Sequence, residues 1–332
     1  MDNATLIRSA RFRAEREAAL RHLEALVAKA EKRGLKTLSF AEARDLAALY
    51  RQVTSSLAIA REISLDKALL DYLEALTARA YLTVYAPQER LGGLLHRFLT
   101  RGAPRAMRAS WRFVALAFLA LGLGMLAGYL LFMENPDWFY VFVPEGMSGG
   151  RGPNASTEFL RDQIFSEDEA TGAGLGAFAA FLFSHNTRIA FLAFGLGVFL
   201  AAPALLLTFY NGLTVGAFIA LHVERGLGTE LVGWLSIHGV TELAAVAIAT
   251  GGGAKLGTAL LFPRQMTRRA ALFAASRDAV KLALVAGLML VAAALLEGFG
   301  RQMVQDTGWR YAIGWSVGAL WLAWFAFGGR RP

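Results

Sequence analysis

The strongest constraint on the fold is an uninterrupted apolar run at residues 113–132, which contains no charged residue. About 20 apolar residues cross the hydrocarbon core of a bilayer as an α-helix, so this run predicts a transmembrane helix. The whole chain is 55% hydrophobic and 18% charged. Ordinary soluble domains are roughly 45–50% apolar and about 25% charged. The sequence therefore predicts a membrane protein with a soluble part.

Five further apolar segments bring the predicted number of spans to six. We expect them at residues 189–209, 213–223, within 231–261, 280–297 and 311–327. The segment 213–223 is short for a full crossing, and 231–261 is too long for one untilted helix. Gly239 and the glycines at 251–253 are predicted places for a break in that long helix, and Pro203 predicts a kink.

The distribution of Lys and Arg predicts the orientation. Residues 88–112, before the first span, are rich in arginine, whereas the loop at 133–172 is strongly acidic. Because basic residues accumulate on the cytoplasmic side, we expect the N-terminus inside and this loop outside. The basic loop at 262–281 and the C-terminal arginines also fall inside if there are six spans. The predicted location is the bacterial cytoplasmic (inner) membrane, multi-pass, with both termini cytoplasmic.

Residues 1–87 predict a cytoplasmic helical bundle. Apolar residues recur at helical spacing in three stretches separated by short joints, and each stripe is expected to pack against the others. Ser39 and Glu42 form an S-x-x-E capping pattern where the second stretch begins.

Residues 88–112 predict a basic amphipathic juxtamembrane segment suited to an anionic lipid surface. The remainder, 113–332, is the predicted transmembrane domain with its acidic extracytoplasmic loop. The predicted fold class is all-α: a polytopic membrane protein of about six transmembrane helices with an N-terminal helical bundle.

The apolar run WLSIHGVTEL contains His238 and Glu242, four residues apart. On a helix they lie on one face, close enough for imidazole and carboxylate to form a hydrogen bond. Because a charge is costly to bury in a membrane, an ionisable residue at that depth indicates a functional site. We predict an intramembrane polar cluster with these residues and other polar outliers: Asn186, Arg188, Asn211, His238, Glu242 and Glu297. The alternative is that the same groups only hold helices together.

The sequence gives little support to catalysis. With no cysteine, disulfides, thiolate nucleophiles and Cys-based zinc sites are excluded. HGVTE does not match the H-E-x-x-H zinc motif, and no G-x-S-x-G nucleophile elbow occurs. We expect a protein that is not an enzyme and has no cofactor and no metal. Nucleic-acid binding is not expected either, since the net charge of +8 is explained by basic cytoplasmic segments.

Several segments, in order, resemble the stage II sporulation protein M family of bacterial integral membrane proteins. They are FAEARDLAALYRQVTSSLAIAR, SHNTRIAFLAFGLGV, YNGLTVGA, HGVTELAAVAIATGGG and ALLEGF, and they extend from about Ser39 to Glu297. In sporulating members, the resemblance implies a polytopic protein that holds peptidoglycan-remodelling enzymes at the membrane during engulfment. This chain departs from them in its long N-terminal bundle, and so resembles the broader, non-sporulation branch.

The resemblance implies a non-enzymatic membrane scaffold that recruits protein partners of a cell-envelope complex. Its expected partners are membrane lipids and proteins, and association into a homo-oligomer is compatible with the sequence. The alternative function is a transporter or channel, in which Asn211, His238, Glu242 and Glu297 line a path for protons or ions.

Overall fold

The chain divides into two compact units, Met1–Leu94 and Leu95–Pro332. The computed structural model describes residues 3–62, 67–85, 91–165, 172–297 and 304–330. Helices make up the secondary structure of these residues, with no strand among them. The all-α fold class predicted from the sequence is therefore confirmed.

The first unit contains three helices: α1 (Asn3–Arg33), α2 (Phe40–Glu62) and α3 (Lys67–Tyr85), with a 3-10 turn (Leu35–Thr37) between the first two. Their apolar stripes form one core, because each helix buries the face that its periodicity predicts. The core includes Leu20, Leu23, Leu26 and Val27 of α1, Leu46, Val53 and Leu57 of α2, and Leu69, Leu73, Leu76 and Ala80 of α3.

The predicted capping box at the start of α2 is present. The backbone N–H of Glu42 donates to Ser39 Oγ at 3.2 Å, and the backbone N–H of Ser39 donates to Glu42 Oε2 at 2.8 Å. Lys29 of α1 also donates to Glu42 Oε1 at 2.6 Å. The hydrogen bond from Lys29, followed by that from the Ser39 backbone, lowers the pKa of Glu42 to about 2. This carboxylate therefore joins the cap of α2 to α1.

The second unit, the membrane unit, contains short helices before and after its first long helix, and then five more long helices. In chain order they are the end of α4 (Leu91–Arg97, whose first residues belong to the first unit), a π-helical turn (Phe98–Gly102), α5 (Ala103–Ala109), α6 (Trp111–Glu134), α7 (Trp138–Phe142), α8 (Glu145–Ser148), α9 (Thr157–Phe165), α10 (Gly172–Val198), α11 (Ala202–Glu224), α12 (Gly228–Leu261), α13 (Arg268–Leu295) and α14 (Thr307–Phe327).

Four helices in the described part of the chain are long and apolar enough to cross a membrane: α6, α11, α12 and α13. The span predicted at 113–132 lies within α6. Two more helices, α10 and α14, have 27 and 21 residues. The apolar helices therefore define a membrane protein.

The predicted boundaries of the second and third spans were wrong. Residues 189–209 belong to two helices, because α10 ends at Val198 and α11 begins at Ala202. Leu200 and Ala201 turn the chain there with φ angles of 78° and 63°, a left-handed conformation that costs non-glycine residues about 1–2 kcal/mol each. Pro203 lies in the first turn of α11, where proline favours a helix start, and does not produce the predicted kink.

The predicted break in the fourth span was also wrong, since α12 is one continuous helix of 34 residues. It is the central helix of the membrane unit and packs against α6, α10, α11, α13 and α14. Its glycines allow close approach: a Cβ on Gly253 would lie 2.4 Å from the Phe194 carbonyl oxygen, and one on Gly257 2.1 Å from that of Gly197. Small residues at such contacts let transmembrane helices approach backbone to backbone.

Glycines on both helices also allow the close contact between α6 and α11. A Cβ on Gly124 of α6 would lie 2.0 Å from the carbonyl oxygen of Phe209, and one on Gly216 of α11 would lie 2.0 Å from that of Met125. The two helices carry matching Gly-x-x-x-Gly spacings, which are completed by Gly128 and Gly212. The interface thus depends on the absence of side chains at these positions.

The juxtamembrane arginines do not all face outward. Arg108 of α5 donates through Nη1 to the carbonyl oxygens of Phe325 and Gly328, at 2.7 and 2.8 Å. Trp324 of α14 donates to the Leu99 carbonyl oxygen at 3.0 Å. Because last-turn carbonyls of a helix have no partner within it, Arg108 caps the C-terminus of α14.

Candidate functional site

Polar residues of the membrane unit line a cavity of about 250 Å³. The cavity extends along α12 from Leu231 to Leu243, about 18 Å at 1.5 Å per residue. Five of the six residues predicted as a polar cluster line it: Asn186, Asn211, His238, Glu242 and Glu297. The sixth, Arg188, is exposed on α10 and is not among the lining residues.

Glu242 of α12 is paired with α10. The side-chain amide of Asn186 donates a hydrogen bond to Glu242 Oε1 across 56 positions of sequence. No described Lys, Arg or His lies within ion-pair distance of this carboxylate. Its partner is therefore a neutral amide, which satisfies an oxygen but does not balance a charge.

His238 faces a different carboxylate from the one that its sequence spacing predicts. Its Nε2 lies 3.8 Å from Glu297 Oε1, and the two side chains are only 4% and 2% exposed. The indole of Trp234 packs edge-on against the imidazole, with ring centroids 5.4 Å apart. The direct contact predicted between His238 and Glu242 is thus replaced by two interhelical contacts, one for each residue. Asn211 lines the same cavity without a hydrogen bond to either pair among the described residues.

A loop that sequence reasoning did not assign to the site also borders the cavity. Arg151 lines it, lies over the ring of Phe218 at 5.1 Å, and donates to the carbonyl oxygens of Ser148 and Met147 at 2.8 and 3.1 Å. Gly149, with φ of 56°, makes the required left-handed turn. The hydrogen bonds therefore fix the shape of the loop itself, and the cation–π contact joins it to α11.

Two further polar groups were missed, Lys255, which is partly buried, and Arg310. Lys255 of α12 donates to Asp278 Oδ2 of α13 at 2.6 Å and to Ser110 Oγ at 2.9 Å. Arg310, which is fully buried, donates to the carbonyl oxygens of Val304 and Ile164 at 2.8 and 3.1 Å. Each is a basic residue within an apolar stretch of sequence, and the rule that singled out Glu242 would have found both.

The cavity lies beside the N-terminal part of α12, from Leu231 to Leu243. Beyond it, every residue of α12 from Ala245 to Ala254 is buried. Thr208 of α11 and Thr250 of α12 meet here with their hydroxyl oxygens 2.7 Å apart. Together with the backbone contacts at Gly253, this packing fills the half of the unit away from the cavity.

The cavity is chemically suited to hydrogen bonding and to holding positive charge. Its lining includes two carboxylates, two amides, two imidazoles, one of them that of His185, and the guanidinium of Arg151, in a mostly apolar wall. Among the described residues, no three His, Asp or Glu side chains are grouped as metal ligands. Such a site can bind a proton or a small polar ligand.

The fold and the cavity define a polytopic α-helical membrane protein with a cavity lined by polar residues. The chain belongs to the stage II sporulation protein M family, whose pattern matches residues 113–300, more than half of its length. Residues 10–86 match a second family, described as a domain of unknown function. No curated protein and no solved structure matches the chain significantly.

Proposed function

We propose that the protein is a non-enzymatic membrane scaffold that recruits protein partners of a cell-envelope complex. The observation that carries this proposal is an exposed aromatic surface on the first unit, the tyrosine cluster, defined by Tyr50, Tyr81 and Tyr85. The three rings contact one another with centroids 5.2–6.4 Å apart. Tyr81 is 52% and Tyr85 61% exposed.

An exposed group of this kind is typical of a protein-binding surface. The first unit buries a core of its own; Tyr50 packs partly against that core, whereas Tyr81 and Tyr85 are not among its members. Tyrosine is enriched at protein interfaces because it offers a large, rigid contact area together with a hydroxyl. Leu82, which is 58% exposed, and Arg61, paired with Glu74, border an open groove beside the rings. An apolar patch with a polar rim supports recruitment of a protein.

The topology belongs to the same proposal. Six spans, formed by α6 and α10 to α14, would place both termini in the cytoplasm of a bacterium and the 133–172 loop outside its inner membrane. The charge distribution supports this orientation, because the segments before α6 and between α12 and α13 are basic and this loop is acidic. The tyrosine cluster would then recruit a cytoplasmic protein.

Affinity purification from native membranes tests the proposal. We expect a protein partner to co-elute with the full-length chain and to be depleted at least several-fold by the double substitution Tyr81→Ser, Tyr85→Ser. The matched control is Phe40→Ser, which removes an 86% exposed aromatic ten residues before Tyr50, about 15 Å along α2. Equal recovery of the partner with all variants would remove the basis of the proposal.

Transport is the second candidate, favoured by the carboxylates in the cavity. The tight packing around Ala245 to Ala254 of α12 argues against an open pore. A transporter that alternates between two conformations needs no continuous pore, so this packing is compatible with transport. Reconstitution in liposomes distinguishes the two functions. Proton or cation flux that is lost in Glu242→Gln, while folding is retained, would favour a transporter over a scaffold.

A further inference from the structure

The cavity has the size and wall chemistry of a site for a small ligand. Its volume is about 250 Å³, slightly below the roughly 300–1,000 Å³ typical of pockets for drug-sized ligands, which suits a smaller molecule. Its wall includes the apolar side chains of Val215, Phe218, Leu231 and Leu235. A few polar groups in a mostly apolar pocket usually fix the orientation of a bound molecule.

The charge of the cavity points to the kind of ligand. Glu242 and Glu297 both line it, and the neighbour of Glu242 is the neutral amide of Asn186. A carboxylate withdrawn from water is costly unless a proton or a cation balances it. His238 faces Glu297 and not Glu242, and Arg151 donates to loop carbonyls beside Phe218. The described residues therefore supply Glu242 with a hydrogen bond but with no counter-charge.

The surroundings favour an organic cation over a metal ion. No three described His, Asp or Glu side chains converge as metal ligands. Trp234 and Phe218 line the same space and add aromatic carbon to its wall, and a protein cation, that of Arg151, already lies over the Phe218 ring. An apolar wall also stabilises a hydrocarbon body, which an inorganic ion lacks.

We propose that the cavity binds a small protonated amine with an apolar body. Its ammonium group donates to the Glu242 carboxylate, and its hydrocarbon part packs along α11 and α12 against Val215, Leu231 and Leu235. The inference concerns the membrane unit alone and is independent of partner recruitment by the tyrosine cluster.

Calorimetric titration of the purified full-length protein in detergent tests this proposal with three six-carbon probes. Hexylammonium carries the charge at pH 7.5, since aliphatic amines of the lysine type have a pKa of about 10.4. Hexanol is neutral and hexanoate is negative. We expect saturable binding of hexylammonium and a raised melting temperature, without either effect from hexanol or hexanoate.

Two matched carboxylate variants assign the site. Glu242→Gln keeps the size and a hydrogen-bonding oxygen but removes the charge, and should weaken hexylammonium binding roughly tenfold or more. Glu224→Gln removes an exposed carboxylate at the end of α11 and should bind as the wild type does. Equal binding of hexylammonium to the wild type and to Glu242→Gln, or equal binding of hexanol and hexylammonium, would overturn the proposal.

A third variant covers the case in which Glu242→Gln does not fold. Val215→Phe places a ring in the cavity without changing its charge, so it should also weaken hexylammonium binding. If the wild type responds to sodium chloride alone and not to hexylammonium, the site takes an inorganic cation and the proposal is wrong. Unchanged hexylammonium binding by a folded Val215→Phe would also contradict it. These results leave co-purification of a protein partner untouched, so the two proposals can fail separately.

Discussion

Substitution of Gly216 by alanine should destabilise the membrane unit. A Cβ at this position would lie 2.0 Å from the Met125 carbonyl oxygen, whereas ordinary contacts begin at 3.4 Å. Helices α6 and α11 must therefore separate by about 1.4 Å at this point, because a backbone oxygen in a helix cannot rotate away. Overpacking of this kind typically costs about 1–3 kcal/mol.

The assay is thermal unfolding in detergent, monitored by the fluorescence of the seven tryptophans. At about 2–4 °C per kcal/mol for a unit of this size, Gly216→Ala should melt roughly 2–12 °C below the wild type. Gly195→Ala and Gly287→Ala are the matched controls, since a Cβ at either position meets nothing within 4 Å. They should melt at or slightly above the wild-type temperature because alanine favours helices.

The reasoning would be refuted if Gly216→Ala melted within 1 °C of the wild type, or if the controls lost as much stability. Equal losses would mean that glycine matters in these helices for a reason other than close approach. A loss confined to Gly216→Ala would establish the tight α6–α11 contact as a source of stability.

Three further predictions follow from individual contacts. The pKa of Glu42 is about 2 in the folded state against an ordinary 4.5. Its contribution to stability is therefore complete above about pH 4.5 and is lost as the pH falls towards 2. In a fragment of residues 1–94, Glu42→Gln should reduce the drop in melting temperature between pH 5 and pH 3, and an undiminished drop would contradict this. Arg310→Met should leave the Ile164 carbonyl oxygen without this donor and destabilise the protein by about 3 kcal/mol. Thermal unfolding measures the loss, and a melting temperature equal to that of the wild type would contradict the prediction. A single cysteine at Gly149 in this cysteine-free chain should react with an impermeant thiol reagent from outside the cell, and labelling from inside only would reverse the orientation.

The first unit could be predicted from sequence because its signals are local. The residues that the apolar periodicity placed on one face of α1, such as Leu23 and Val27, are buried in the core. The capping box at Ser39 and Glu42 involves residues only three apart and was also predicted. Local patterns therefore account for both the helices and their contact faces in this unit.

The membrane unit was less predictable because glycine and proline have more than one structural role. The glycines of α12 were interpreted as break points, whereas the helix is unbroken and two of them allow close approach, Gly253 to α10 and Gly251 to α6. Which role applies depends on the neighbouring helix, and a single sequence does not reveal that neighbour. The turn at Leu200 and Ala201 contains no glycine and so gave no turn signal.

The polar residues were recognisable but their pairing was not. Burial cost identifies Asn186, His238 and Glu242 as unusual wherever they lie in an apolar segment. Their actual partners come from other helices, with Glu242 bound to α10 and His238 facing Glu297 after α13. Helix packing decides such contacts, and the i, i+4 spacing indicates only that two residues share a face.

Site-specific photo-crosslinking in native membranes tests the proposed scaffold role most directly. A photoreactive phenylalanine analogue would replace Tyr81 in the tyrosine cluster or, as the control, Phe40. The scaffold proposal predicts one discrete protein adduct from position 81 and none of that mass from position 40. No adduct from position 81, or the same adducts from both positions, would contradict it.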